Sequence, residues 1–242
     1  MTNSVPNYLD RVHKSVRFRL RSFLYSKIIA NPRFQMIGEY YYRIPLKERV
    51  VALTFDDGPR SPYTESLLVI LEKYNIKATF YFIGENIERD YSAAKLVFDK
   101  GHQIGNHSYS HPAFLNLSIA QINQEIDKTD QLIRSLGVQG KITFRAPYGK
   151  KFLKLPYILW RKKRTHVLFD FFPNPRDFMG SPVNLVADSI ISQTRPGSII
   201  VLHDGNIKAA PFVCEYAEKV ILGLKSLGYS FVTVDELLRM KN

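Results

Sequence analysis

A single cysteine, Cys214, is all the sequence has, so no internal disulfide can form and thiol pairing says nothing about compartment. Set in a mixed apolar and polar segment, that thiol reads as a packed side chain rather than a nucleophile. Nowhere do eighteen apolar residues run uninterrupted, which excludes a conventional transmembrane helix. The start of the chain lacks an apolar core and a small-residue cleavage site, which argues against a cleaved signal peptide. The expected location is therefore the cytoplasm or the cytoplasmic membrane surface. Internal repeats and low-complexity tracts are also missing, so neither a solenoid nor a disordered array is indicated.

What remains is ordinary globular composition: 242 residues, 45% hydrophobic and 23% charged, a length that suits one large α/β domain. The net charge of +12 is unevenly spread. Residues 1–49 hold ten Lys/Arg against Asp10, Glu39 and Glu48, a net of +7 that leaves +5 for everything after. Within this basic extension Leu9, Val12, Val16, Leu20, Phe23 and Leu24 recur at helical spacing, and Asn31-Pro32 would stop the helix. Two readings stand: a helix packed on the body with a solvated basic face, or membrane-surface contact through residues 8–30. The body shows no nucleic-acid recognition module and no aromatic-basic interleaving, so no nucleic acid is expected as a partner.

From residue 50 onward β-rich runs alternate with helical periodicity. Strands are predicted at Val50–Phe55, Ala78–Ile83, Gln103–Asn106, Ile142–Phe144, His166–Phe172, Ser198–Leu202 and Ser230–Val234. Apolar stripes at Leu67, Leu68, Ile70 and Leu71, at Ile119, Ile122, Ile126, Leu132 and Ile133, and at Val220, Ile221, Leu224 and Leu227 predict helices between them. Seven strands alternating with helices imply parallel pairing by right-handed crossovers. A barrel and a doubly wound sheet both satisfy that pattern.

Chemistry-bearing residues gather at the predicted C-terminal ends of strands, where parallel α/β folds place their sites. Thr54-Phe55-Asp56-Asp57-Gly58-Pro59 puts two adjacent carboxylates there. Successive side chains on extended backbone diverge, so one can meet a metal and the other a substrate water. Taken alone, Asp-Asp-Gly-Pro is also a common polar turn. His107 and His111 are spaced i, i+4 after another strand and can converge on one ion; His102, before that strand, reads as structural. Arg145 in Phe144-Arg145-Ala146-Pro147-Tyr148-Gly149 can hold a carboxylate ionised, and the backbone after it can aim an N–H at an oxyanion. The buried run Ile199–Leu202 ends in His203, a further ligand or a general acid.

Together these motifs resemble the polysaccharide deacetylase family, carbohydrate esterase family 4 or NodB-homology domain, over roughly residues 50–238. The resemblance rests on Thr-Phe-Asp-Asp-Gly-Pro at 54–59, His-Ser-x-x-His at 107–111, Arg-x-Pro-Tyr at 145–148 and Leu-His-Asp at 202–204, in the family's order. It implies an α/β fold, a distorted (β/α) barrel of about seven parallel strands, occupying residues 50–242 after the extension at 1–49. It implies that Asp57, His107 and His111 bind a divalent metal, Zn2+ before Co2+ or Mn2+. Asp56 would be the general base held by Arg145, the Tyr148 backbone N–H would support the oxyanion beside Pro147, and His203 would protonate the leaving amine. The family's Asp-Trp pair is matched by Asp177-Phe178, with Phe in place of Trp; Leu202 lines the acetyl pocket or packs in the core. The implied activity is metal-dependent removal of N-acetyl groups from N-acetylglucosamine-type carbohydrate. A deformylase or amidase on a lipid-linked sugar or cyclic amide, and a non-catalytic carbohydrate-binding relative, are the alternatives.

Overall fold

The computed structural model describes residues 37–150, 154–170 and 177–241. The helix expected near residues 8–30 lies outside them. Among the described residues the strands are β1 (Tyr40–Tyr41), β2 (Val50–Asp56), β3 (Thr79–Phe82), β4 (Gln103–Asn106), β5 (His166–Val167), β6 (Ile199–His203) and β7 (Ser230–Val232). The helices are α1 (Tyr63–Lys73), α2 (Gly84–Arg89), α3 (Tyr91–Asp99), α4 (Ile119–Ser135), α5 (Lys154–Arg161), α6 (Val183–Gln193), α7 (Val213–Ser226) and α8 (Val234–Arg239). None of them is long and apolar enough to cross a membrane.

β2 is apolar at nearly every position because both its faces are covered. It pairs in parallel with β3 and β6 along its second half and with β7 at Val50–Ala52. β4 extends the sheet beyond β3, and β1 pairs separately with β5. Single bridges join these pieces: Phe144 bridges Asn106 on one side and His166 on the other. The Asp170 N–H then donates to the Ile199 carbonyl at 2.9 Å, and the circuit returns through β6 to β2. The pairings thus run around a ring with helices outside it, in keeping with the expected distorted barrel.

Side-chain alternation along β2 builds two layers. Val51, Leu53 and Phe55 face outward and pack under Leu67, Leu68 and Leu71 of α1 and Val220, Ile221 and Leu224 of α7. Each such burial is worth roughly 1.5–3 kcal/mol. Val50 and Ala52 face inward with Tyr81, Val167 and Ile199. By the same alternation Thr54 and Asp56 point into the ring at its C-terminal mouth.

Three details depart from the sequence reading. Ile142–Phe144 yields one bridging residue rather than a strand, because the chain turns at once into the 3-10 turn Pro147–Gly149 and proline has no N–H for a ladder. The predicted strand from His166 stays regular only to Val167: Leu168 still donates to the Tyr41 carbonyl, but Asp170 already donates to Ile199, so the segment changes neighbours. Phe171 and Phe172 lie outside the described residues. Finally, Tyr40–Tyr41 and the buried Ile44 join the fold although they precede residue 50.

Candidate active site

At the mouth, Asp57 sits in left-handed backbone (φ 71°) immediately after β2. That twist separates its carboxylate from that of Asp56. His107 follows β4, and His111 closes the loop after it, also at positive φ (55°). One ligand-type atom from each of Asp57, His107 and His111 lies within 4.8 Å of the others. The Nε2 atoms of His107 and His111 are 3.5 and 3.4 Å from Asp57 Oδ1. Asp57 Oδ1 is buried and has no hydrogen-bond partner, and a buried carboxylate oxygen left so is costly. His107 Nδ1 is 2.8 Å from the Arg145 carbonyl, so the ring donates there and keeps the Nε2 lone pair toward Asp57. This mixed N/O donor set with an orphaned oxygen suits a divalent cation such as zinc.

The charges agree with that arrangement. Burial would raise the Asp57 pKa, but the adjacent His107 imidazole and the charge of His203 hold it below the usual carboxylate range. Burial and neighbouring His107 depress His111 to about 4, leaving its imidazole neutral near pH 7, the form a metal needs.

Asp56 is held differently, with Oδ2 still 3.8 Å from His107 Nε2. Arg145, fully buried, donates to Asp56 Oδ1 at 2.6 Å, to Thr54 Oγ1 at 2.7 Å and to the Val167 and Leu168 carbonyls. Its guanidinium also lies 4.0 Å from the centre of the Tyr81 ring. A guanidinium fixed by four such bonds holds Asp56 in one orientation.

On the strand beside β2, His203 ends β6 in register with Asp56. Asp177, in a 3-10 turn, accepts from the His203 backbone N–H at 2.7 Å and lies 3.0 Å from Nδ1 through both oxygens. Burial would lower the His203 pKa, but Asp177, and after it Asp57 and Asp56, push it up to about 10. The ring is an imidazolium near neutrality. Phe178 packs edge-on against it at 5.6 Å and remains 45% exposed. Tyr148 occupies the second position of its 3-10 turn at φ 60°, where an N–H has no partner within the turn. Its ring meets His111 at 4.6 Å, and Pro147 beside it is buried. Leu202 is buried between sheet and helices, on the face of β6 opposite His203. His102, read as structural, accepts the Ala78 N–H, and burial with Lys77 and Lys100 holds it neutral at about 4.

Several residues that build the site gave no sign in the sequence. Asn106 donates to Asp130 and to the Ile126 carbonyl of α4 and accepts the Ser108 N–H. Glu125 of α4 accepts the Tyr109 and Ser110 N–H groups and the Ser110 hydroxyl, each at 2.8 Å. Asp204 takes a 2.6 Å bond from Thr64 and is pushed up to about 7 by burial. Gly205 packs so tightly that a Cβ would fall 1.9 Å from the Asp57 carbonyl. Asp204 stood in a visible motif; Asn106 ends β4, Glu125 lies on a helix face and Gly205 follows β6.

Comparison with known proteins agrees with these observations. Residues 43–159 match the polysaccharide deacetylase family. The chain is 32% identical over 207 residues to a peptidoglycan-N-acetylglucosamine deacetylase of Bacillus cereus, covering 85% of this chain and 95% of that one. The crystal structure of the Bc1960 peptidoglycan N-acetylglucosamine deacetylase superposes with a TM-score of 0.76 at 29% identity, covering 82% of this chain and 92% of that one. A mutant of BA3943, a family pseudoenzyme with restored enzymatic activity, superposes with a TM-score of 0.75 at 26% identity, covering 84% of this chain and 72% of that one. The chain belongs to the polysaccharide deacetylase family, carbohydrate esterase family 4, and is a carbohydrate deacetylase.

Proposed function

We propose that the protein removes the acetyl group from N-acetylglucosamine units of a peptidoglycan-like glycan, the substrate named for its relatives. The observation that carries this reading is the buried, unpartnered Asp57 Oδ1 facing two imidazole Nε2 atoms. Asp57, His107 and His111 would hold the cation, zinc before cobalt or manganese, and such an ion supplies Lewis acidity to carbonyl and attacking water. Asp56, fixed by Arg145, takes the proton from that water. The Tyr148 N–H donates to the oxygen that becomes negative when the amide carbon turns tetrahedral. His203, charged and fixed by Asp177, delivers its proton to the amide nitrogen as the C–N bond breaks. Base and acid are thus carried by two neighbouring strand ends, Asp56 on β2 and His203 on β6.

Acetate release from chitin oligomers and from peptidoglycan fragments tests this reading. Release should stop with a chelator and return with zinc or cobalt. Turnover of formylated or cyclic amides without acetate release would replace it with the amidase alternative. For residues 8–30 two readings stand, a helix packed on the body and contact with a membrane surface; loss of liposome binding on deleting residues 1–30 would select the second.

A further inference from the structure

The net positive charge comes from two stretches. Residues 1–36 carry seven Lys/Arg and one acid, residues 150–164 carry seven Lys/Arg and none, and the rest of the chain carries 20 Lys/Arg against 21 acids. Outside the two stretches the protein is slightly acidic. β1 pairs with β5 and the His166 N–H donates to the Glu39 carbonyl, so the described fold begins at the corner where the second stretch ends.

Helix α5 forms the described part of that corner. Leu155, Pro156, Ile158 and Leu159 bury its inner face against Phe114, Ile122 and Phe144. On the outer face Tyr157 is 40% and Trp160 53% exposed, their rings 6.1 Å apart. Lys154, Arg161 and Lys163 are exposed around them, while Lys162 and Arg164 turn to Asp127 and Asp130 of α4. A tryptophan and a tyrosine left in solvent among cations make a surface whose apolar body and charged rim both need a partner.

We infer that the outer face of α5, with Tyr157 and Trp160 at its centre, docks on an anionic lipid membrane. Trp and Tyr settle at headgroup depth, and Lys and Arg beside them meet lipid phosphates while their stems cover apolar surface. The exposed Tyr157 and Trp160 rings favour lipid over a soluble polyanion, which offers them no apolar partner. This surface does not depend on the deacetylase reading, since none of its residues belongs to the proposed site.

Trp160 is the only tryptophan, so its fluorescence reports this face alone. The full chain is titrated with vesicles of equal parts phosphatidylglycerol and phosphatidylcholine, with pure phosphatidylcholine, and with polyphosphate. The expected result is a blue shift of Trp160 emission on the anionic vesicles only, reversed by about 0.5 M salt. The double variant Arg161→Gln/Lys163→Gln should bind about thirtyfold more weakly, the loss expected for two surface cations, while deacetylating soluble chitin oligomers at the unaltered rate. No binding, or vesicle binding without a Trp160 shift, overturns the assignment. An equal shift with polyphosphate overturns it in favour of a soluble polyanion. Loss of soluble activity in the double variant would show a folding defect, and Trp160→Phe, read by vesicle sedimentation, then decides: a several-fold loss supports the surface and unchanged binding overturns it.

Discussion

Asp56 and Asp57 are neighbours in sequence with opposite surroundings. Asp56 Oδ1 accepts from Arg145, whereas Asp57 keeps a buried oxygen without a donor. If the proposed roles hold, Asp56→Asn should still bind one zinc per chain by elemental analysis yet lose about three orders of magnitude in kcat. His107→Ala should lose the metal itself. The Asp177–His203 pair gives a pH prediction. An acid works only while protonated, so activity should fall as pH rises through the raised pKa of His203. Asp177→Asn removes the main charge that raises it. The alkaline limb of kcat/KM should then move down by about one unit or more. The same pair stabilises the fold fully below about pH 6.5, and that contribution is lost as pH climbs toward about 10.

At the scale of elements, α4 decides where the histidines go. Its amphipathic stripe buries Ile122, Ile126 and Ile133, and a Ser118–Gln121 capping box fixes its start. From that anchored rod Glu125 holds the loop between the two histidines by three hydrogen bonds. Asp130 acts through Asn106 on the turn at Ser108. Glu125→Ala should therefore weaken zinc binding by about 10- to 100-fold with little change in melting of the metal-free protein. A calorimetric titration together with a thermal melt separates the two effects. An equal fall in apo stability would mean that Glu125 only braces the fold.

For the molecule as a whole, the proposed ligands come from two segments, the end of β2 and the loop after β4. An ion shared between them binds the folded state and not the extended chain. At a free zinc concentration about 1,000 times the dissociation constant, linkage adds about 4 kcal/mol. A protein of this size should then melt roughly 8–16 °C higher with zinc than after chelation. A scan in which chelation leaves the melting temperature unchanged would remove the metal from this site.

Local patterns foretold much of this. Continuous apolar runs marked β2 and β6, and the 3.6-residue stripes marked α1, α4 and α7. The motif residues were legible because chemistry demands their type and order. Tertiary structure alone decided the two-residue β1, the single bridge at Phe144 and the service of Glu125, Asn106 and Thr54 to the site. The physical reason is range. Periodicity and motif spacing are properties of a few consecutive residues, whereas a hydrogen bond across 91 positions from Arg145 to Thr54 exists only once the ring has brought the strands together.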